Sequence, residues 1–402
     1  MKNNIVLNSV NNMQLIRSLF YFIAFLALGM SAGIIGPTLP FLSNNLRIDL
    51  SKISYIFIIR SIGNMLGSYT SGHLFEKIKG HILFSSAMLI MCAVLFIIPV
   101  SKNMYITIIS FFFFGFAEGC GHTGGNTLLI WNLDNKADWN INILHSCFGL
   151  GAFLSPLLVG FMLDVYKGTI FSYLIISIIT FIILIIIFIL PSPININTLV
   201  KKGPTQDHYE KLLITKTKRY IQILLIILIF VAVGIESSFG SWIYTFIQRQ
   251  NLLNLKFAAL MTSVFFATIT IGRLLIIPVT LRFSYIKIFG ISLFSAFLFI
   301  VIFYFKSRIP FFLCLSVGGF GLSVASLFPT IFSLAEKYLK ITGKTTARLL
   351  IGATMGSMLF PWLIGQFIEL VNSNVLPFLI GITLFISLVC YLLLVRIIKK
   401  LV

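Results

Sequence analysis

The chain has 402 residues, of which 58% are apolar and only 10% are charged. Average soluble proteins have about half apolar and about a quarter charged residues. A soluble protein of this size could not bury so many apolar side chains, so the composition excludes a soluble enzyme, a disordered chain and a nucleic-acid-binding protein. The five cysteines lie in apolar runs and show no C-x-x-C spacing, so we expect no disulfide framework and no metal site. They are Cys92, Cys120, Cys147, Cys314 and Cys390.

Long apolar stretches recur along the whole chain. A transmembrane helix needs about 20 predominantly apolar residues, and twelve stretches of this kind predict an all-α integral membrane protein. They run near 16–42, 53–75, 81–100, 104–132, 141–164, 169–190, 218–247, 255–281, 285–305, 310–336, 346–371 and 375–396.

The basic residues are unevenly distributed between the two sets of loops. With a cytoplasmic N-terminus, 20 of the 30 Lys and Arg residues fall in inside segments and 8 in outside loops. This bias predicts that both termini are cytoplasmic. The net charge of +19 is then explained by the basic residues that set the topology and contact anionic lipid. The outside loops carry no N-x-S/T sequon, and the chain is rich in Ile, Asn, Lys and Phe. The residue bias indicates an AT-rich genome, and the missing sequon favours a multi-pass protein of a bacterial inner membrane.

The two halves of the chain repeat one another at an offset of 205 residues. The shared pattern GxxxxPxxxGxxx[DE] pairs Gly151, Pro156 and Gly160 with Gly356, Pro361 and Gly365. The repeat predicts a six-helix bundle at 1–190, a cytoplasmic linker at 191–217 and a second bundle at 218–402. Parallel repeats of this kind frame a substrate site in secondary transporters, and we expect these glycines and prolines to act in gating. The alternative is duplication without transport, in a channel or a structural membrane protein.

A charged loop follows the second predicted span. The stretch GHLFEKIKG, with Gly72, Glu76 and Lys77, resembles the G-x-L-x-D-R-x-G-R signature of the major facilitator superfamily. Glu replaces the usual Asp, and Lys replaces the usual Arg. An acid and a base at a cytoplasmic helix end can pair and hold one gating state. The alternative is an ordinary charged loop.

The fourth span carries ionisable residues inside an apolar run. Glu118, His122 and Asn126 are spaced i, i+4, i+8, so they share one helix face. Ionisable residues within a span are costly and indicate function, and histidine titrates near neutral pH, so a Glu/His pair can carry a proton. The alternative is a buried pair that only holds helices together. The glycines around them allow close approach to a neighbouring helix, for which Gly63 and Gly67 of span 2 are candidates.

Longer stretches resemble one branch of this superfamily, the sodium-dependent glucose transporters, which are related to fucose permeases. They are 121–129, 145–158, 233–242 and 321–333, the last of which contains Pro329. The resemblance implies the major facilitator fold, with twelve helices in two pseudo-symmetric bundles, and a sugar as the substrate. It places Glu236 in a central cavity, where Trp242 and Gln248 have suitable chemistry for binding a sugar. His122 departs from the branch, which has an acid there, and this favours a proton over sodium.

Two arginines also lie within predicted spans. Arg60 is one turn from Asn64 and either faces the cavity or snorkels towards the headgroups. Arg273 lies nearer the middle of its span, and we expect it to pair with Glu236 or Glu118.

These features predict a secondary active transporter that moves a small polar solute, most readily a sugar, by alternating access. We expect proton coupling, no cofactor other than a transmembrane proton or sodium gradient, no bound metal, and a monomer in the lipid bilayer without a nucleic-acid partner. The chain contains no GxSxG, HExxH or P-loop motif, which argues against an enzyme. Two alternatives stay open: a proton-driven exporter of a drug, siderophore or metabolite, and a non-transporting membrane receptor or sensor.

Overall fold

The computed structural model describes residues 2–133, 137–166, 168–193, 216–339 and 343–399. In these ranges the chain forms fifteen α-helices and no strand. They are α1 (Lys2–Gly33), α2 (Ile35–Leu46), α3 (Leu50–Ile53), α4 (Tyr55–Leu74), α5 (Gly80–Ile97), α6 (Met104–Leu133), α7 (Ala137–Tyr166), α8 (Ile170–Ile189), α9 (Lys216–Arg249), α10 (Leu255–Thr280), α11 (Tyr285–Lys306), α12 (Pro310–Ala325), α13 (Leu327–Leu339), α14 (Gly343–Leu370) and α15 (Val375–Lys399).

The expected all-α membrane fold is confirmed. Eleven segments of the described chain are long and apolar enough to cross a membrane. The remaining span of the twelve is α4, which has 20 residues but carries Arg60, Asn64 and His73 among its apolar positions. Length alone makes α4 sufficient to cross, and its polar residues explain why its hydropathy is lower than that of the others.

Two of the expected spans are each divided into two helices by proline. Span 1 breaks between α1 and α2, and span 10 breaks between α12 and α13. Pro37 and Pro329 are the third residues of α2 and α13. A proline is tolerated in the first turn of a helix because its missing N–H would have no helical partner there.

The chain divides into two compact units. The first comprises residues 1–34, 62–155 and 168–210, and the second comprises 35–61, 156–167 and 211–402. Two short segments of the N-terminal half, 35–61 and 156–167, thus pack with the C-terminal half. The division into bundles at 1–190 and 218–402 stays a prediction from the repeat, and most of the expected linker, 194–215, lies outside the described residues.

Repeat-related glycines make equivalent helix crossings in the two units. In the first unit, a Cβ on Gly29 or Gly151 would overlap backbone atoms at the crossing of α1 with α7. In the second unit, a Cβ on Gly234 would meet the Phe360 ring, and one on Gly356 would overlap the backbone, where α9 crosses α14. Small residues allow helix backbones to approach closely in a membrane, so the repeated glycines fix the same crossing twice.

The close approach of spans 2 and 4 takes place as the sequence indicated. A Cβ on Gly63 or Gly67 of α4 would overlap carbonyl oxygens of α6. A Cβ on Gly119 of α6 would in turn overlap the Asn64 carbonyl oxygen of α4. These two helices therefore pack backbone to backbone at the level where α6 carries its ionisable residues.

A buried histidine joins three helices at one end of the first unit. His81 Nδ1 lies 2.8 Å from the Leu190 carbonyl oxygen, and His81 Nε2 lies 2.6 Å from the Tyr21 hydroxyl. Because a carbonyl oxygen can only accept, Nδ1 donates and Nε2 accepts from the tyrosine. The neutral imidazole thereby ties α1, the start of α5 and the end of α8 together.

Candidate functional site

The first unit holds a carboxylate inside a span. Glu118 of α6 is 6% exposed, and Asn64 Nδ2 of α4 donates a long hydrogen bond of 3.4 Å to its Oε2. The glycine crossing of α4 with α6 brings this amide within reach of the acid. Sequence reasoning missed Asn64 as a site residue, although its position on the Gly63/Gly67 face of α4 signals it.

His122 lies one turn beyond Glu118 and is surrounded by aromatic rings. Its imidazole centroid is 5.5 Å from that of Phe25 on α1 and 5.0 Å from that of Phe148 on α7. Phe25 also contacts the ring of His145, at 5.7 Å. A carboxylate, an amide, imidazoles and aromatic faces are therefore grouped in the first unit. Such groups can bind hydroxyls, cover the apolar face of a ring and exchange protons.

Asn126, the third predicted residue on this face, makes a local hydrogen bond. Its Nδ2 donates to the His122 carbonyl oxygen of the preceding turn at 2.8 Å. The side chain is half-buried, and among the described residues none donates a hydrogen bond to its Oδ1. The amide can release this bond to a ligand at small cost because the helix already satisfies the carbonyl oxygen.

The second unit holds an ion pair inside its spans. Arg273 Nη2 of α10 donates to Glu236 Oε1 of α9 over 2.8 Å. The side chains are 42% and 23% exposed, respectively. Of the two acids considered as partners for Arg273, the structure thus places Glu236 against it. A carboxylate and a guanidinium within spans are the chemistry expected of a substrate or ion path.

Trp242 has a packing role in this conformation. The side chain is fully buried, its Nε1 donates to the Pro361 carbonyl oxygen at 2.8 Å, and its ring lies 6.0 Å from that of Phe57. A proline in a helix interior bends the helix, and the indole, by binding the proline's own carbonyl oxygen, fixes this segment of α14. Gln248, two turns further along α9, is half-buried.

The last glycine of the GxxxxPxxxGxxx[DE] pattern, Gly160 in one copy and Gly365 in the other, packs against repeat-related residues in both copies. In the second unit, a Cβ on Gly160 would lie 3.1 Å from Ala259 Cβ, and a Cβ on Gly365 would overlap Ser54 Cβ. Ser54 and Ala259 are themselves related by the offset of 205 residues. Each glycine therefore packs α7 or α14 against a helix start from the opposite half of the sequence.

Polar contacts flank both glycine contacts. Lys256 Nζ donates to Asp164 Oδ2 at 2.9 Å, and Gln366 Nε2 donates to the Ser51 carbonyl oxygen at 2.7 Å and to Ser54 Oγ at 3.0 Å. Lys256 and Ser51 are equivalent in the repeat. We call Ser51, Ser54, Asp164, Lys256 and Gln366 the gate cluster. Sequence reasoning missed Lys256 and Gln366, because neither belongs to a repeated motif.

The remaining predicted residues do not join these groups. Gly72 has open space around it, and Glu76 and Lys77 are exposed and form no ion pair within the described part of the chain. Arg60 is half-buried in α4 within the second unit, and Pro329 lies in the first turn of α13.

A helical membrane fold with a duplicated plan and with ionisable groups inside its spans defines a multi-pass transporter of small solutes, not an enzyme. Residues 21–260 match the family model described as Major Facilitator Superfamily. The chain belongs to that family.

Sequence relatives agree with this assignment, and a solved structure shares the fold. The chain is 30% identical over 381 residues to sodium-dependent glucose transporter 1A of Mus musculus, covering 86% of this chain and 88% of that protein. It is 25% identical over 354 residues to the glucose/mannose transporter GlcP of Bacillus subtilis (strain 168), covering 86% of each. The crystal structure of the nucleoside transporter NupG superimposes with a TM-score of 0.75 at 14% identity, covering 96% of this chain and 99% of that one.

Proposed function

We propose that the protein takes up a sugar by alternating access. The observation that carries the proposal is the grouping in the first unit of Glu118, Asn64 and His122 with the rings of Phe25 and Phe148. A sugar offers hydroxyls to a carboxylate, an amide and an imidazole, and it offers an apolar ring face to aromatic side chains. The similarity to two proteins named as glucose transporters supports the same substrate class.

We propose that the transmembrane proton gradient, without a further cofactor, drives this uptake. The resemblance to the sodium-dependent glucose transporters implies an acid at the position where this chain has His122, and an imidazole is a poor ligand for a hard cation, which prefers oxygen ligands. Imidazole instead gains and loses a proton near neutral pH. Glu236 supplies a second acid whose charge is balanced by Arg273 at 2.8 Å. Protonation of Glu236 would remove that attraction and release the guanidinium.

We propose that the gate cluster closes the outer side in this conformation, with both termini cytoplasmic in a bacterial inner membrane and the protein a monomer. The basic residues of the loops support this orientation. Transport then requires that the ion pair Lys256–Asp164 and the hydrogen bonds of Gln366 break and re-form in each cycle. The exposed ion pair suits this task because it can be exchanged for water at little cost.

The test is uptake of labelled hexoses into liposomes that contain the purified protein, under separately imposed proton and sodium gradients. Glu236→Gln and His122→Ala are expected to lose gradient-driven accumulation, and Glu336→Gln, an exposed acid at the end of α13, serves as the matched control. Accumulation driven by sodium alone would overturn the proton proposal. Absence of uptake of every hexose by folded protein would overturn the sugar proposal and favour an exporter.

A further inference from the structure

An apolar groove lies between α11 and α15 in the second unit. It is lined by α11 from Phe297 to Phe305 and by α15 from Pro377 to Phe385, and its volume is about 270 Å³. The two helices run antiparallel, because the ring of Phe297 pairs with that of Phe385 at 6.4 Å while Phe289, two turns earlier on α11, pairs with Tyr391, later on α15. The groove therefore follows the helix axes from one end of the bundle towards the middle of the membrane.

A missing side chain creates much of this space. A Cβ on Gly381 would have no neighbour nearer than 3.9 Å, the distance to Ile300 Cγ2. At the helix crossings described above, by contrast, a Cβ would overlap backbone atoms. Gly381 does not serve close helix packing, since no backbone lies against it. Its absent side chain instead leaves the groove unfilled.

The dimensions of the groove match part of one lipid chain. Eight residues separate Phe297 from Phe305, which corresponds to about 12 Å at 1.5 Å per residue. One leaflet contributes about half of the ~30 Å hydrocarbon thickness. Both helices are membrane-spanning segments, and the rings at the groove are open to the surroundings, with Phe305 72% and Phe385 60% exposed. An extended acyl chain therefore fits the groove along most of its own leaflet.

Positive charge lies at the mouth of the groove. Lys306 directly follows Phe305 at the end of α11, Arg308 comes two residues later, and both are exposed. The segments 285–310 and 371–399, which contain both helices, have no Asp or Glu. An anionic headgroup at this level thus meets two cations and no acid from either helix. A Lys or Arg side chain near a leaflet that contains anionic lipid is attracted to it by ~1 kcal/mol, so the two cations favour an anionic headgroup in their own leaflet.

We propose that this groove is a binding site for one anionic phospholipid, with an acyl chain along Gly381 and the phosphate between Lys306 and Arg308. The site is independent of the proposed substrate and coupling ion. It would anchor the two outer helices to one lipid molecule while other helices of the bundle move.

The test uses the full chain in phosphatidylcholine nanodiscs with a trace of photoactivatable phosphatidylglycerol that carries a diazirine in its acyl chain. We expect peptides 297–305 and 377–385 to be labelled at least fivefold more than the other lipid-facing helices. Gly381→Leu, which fills the groove, should abolish that excess, and Gly381→Ala should reduce it in part. Thermal unfolding of each variant confirms that it is folded.

The headgroup is tested by repeating the labelling with photoactivatable phosphatidylcholine. Wild-type protein should prefer the anionic probe severalfold, and Lys306→Ala with Arg308→Ala should remove the preference. Lys287→Ala, an exposed cation at the opposite end of α11, is the matched control and should keep it. Even labelling of all lipid-facing helices, or labelling that is insensitive to Gly381→Leu, would show that the groove holds only bulk lipid and would overturn the proposal.

Discussion

Lys256 donates to Asp164 over 2.9 Å and ties the first turn of α10 to the last turn of α7. The repeat-related contact joins Gln366 to Ser51 over 2.7 Å. The duplicated sequence thus makes two equivalent closures with different chemistry, an ion pair and an amide–carbonyl hydrogen bond. Glu369, the repeat partner of Asp164, instead pairs with Arg249 at 2.8 Å. Only one of the two closures is therefore expected to weaken in salt.

The first prediction concerns that ion pair. The side chains of Lys256 and Asp164 are more than half exposed, so their attraction is screened by water and salt and contributes less than ~1 kcal/mol, or about fivefold in a population. Asp164→Asn should increase the fraction of molecules in which the gate cluster is open by up to this factor. The readout is the rate at which a maleimide modifies Ala259→Cys, a buried position, in a background without the five native cysteines.

Salt provides the control for this measurement. Raising the NaCl concentration should accelerate the reaction of the parent protein, and it should have little further effect on Asp164→Asn. Asp164→Glu keeps the charge and should react at close to the parent rate. Equal salt dependence in the parent protein and in Asp164→Asn would show that the ion pair does not hold the gate.

The second prediction concerns the glycine contact beside the gate. A methyl group on Gly365 would overlap Ser54 Cβ and approach the Trp242 ring within 2.8 Å. Overpacking of this kind costs about 1–3 kcal/mol, so Gly365→Ala should raise the maleimide rate roughly five- to a hundredfold. Gly318→Ala is the matched control, because its nearest neighbour atom would lie 3.6 Å from the new methyl. A parent-like rate for Gly365→Ala would contradict the assignment of this contact to the gate.

The sequence predicted the fold, and it also pointed to part of each candidate site, for identifiable reasons. Apolar length alone sets the spans, and the spacing of Glu118 and His122 sets their shared helix face. Contacts between helices are harder to predict, because they depend on which side chain reaches which neighbour. Trp242 is an example. Its chemistry suits a sugar, but its indole donates to the Pro361 carbonyl oxygen and its side chain is fully buried.

The repeat carried information that sequence reasoning did not use. The offset of 205 residues relates Ser54 to Ala259 and Ser51 to Lys256, but these residues differ in type, and a search for identical residues does not find them. The pairing of Lys256 with Asp164 could have been inferred from one acid and one base at adjacent span ends. The Gln366 contact could not, because an amide donor to a backbone carbonyl leaves no charge pattern in the sequence.

The third prediction separates packing from transport in the second unit. Glu236→Gln or Arg273→Met alone leaves one partner without its opposite charge inside a span, so we expect each to lower thermal stability and uptake. The exchange Glu236→Arg with Arg273→Glu restores a pair with reversed polarity. The double variant should unfold at the temperature of the parent protein, but its uptake should be less than a tenth of the parent's uptake. Full recovery of uptake would mean that the pair only holds α9 to α10.

The fourth prediction concerns the indole bond to Pro361. Trp242→Phe removes a buried donor to the Pro361 carbonyl oxygen. Because this carbonyl lies inside α14 and keeps its helical hydrogen bond, the loss should cost about 0.5–1.5 kcal/mol. Trp362→Phe is a matched control, because Trp362 Nε1 is buried without a hydrogen-bond partner among the described residues. Unfolding midpoints in detergent should fall for the first variant and stay constant or rise for the second. Equal losses would assign the effect to ring volume and not to the hydrogen bond.

The fifth prediction concerns the coupling ion. His122→Asp introduces the acid that the resemblance to the sodium-dependent glucose transporters implies, and it places a second carboxylate one turn from Glu118. Two carboxylates at this spacing repel each other unless a cation lies between them, and with the Asn126 amide they would offer oxygen ligands to a hard cation. The variant should therefore show uptake stimulated by sodium, with a weaker response to a proton gradient. His122→Asn introduces a side chain of the same shape as aspartate but without its charge, and uptake by this variant should respond to neither gradient. If uptake by His122→Asp does not depend on sodium, residues other than His122 determine which ion is coupled, and the prediction is wrong.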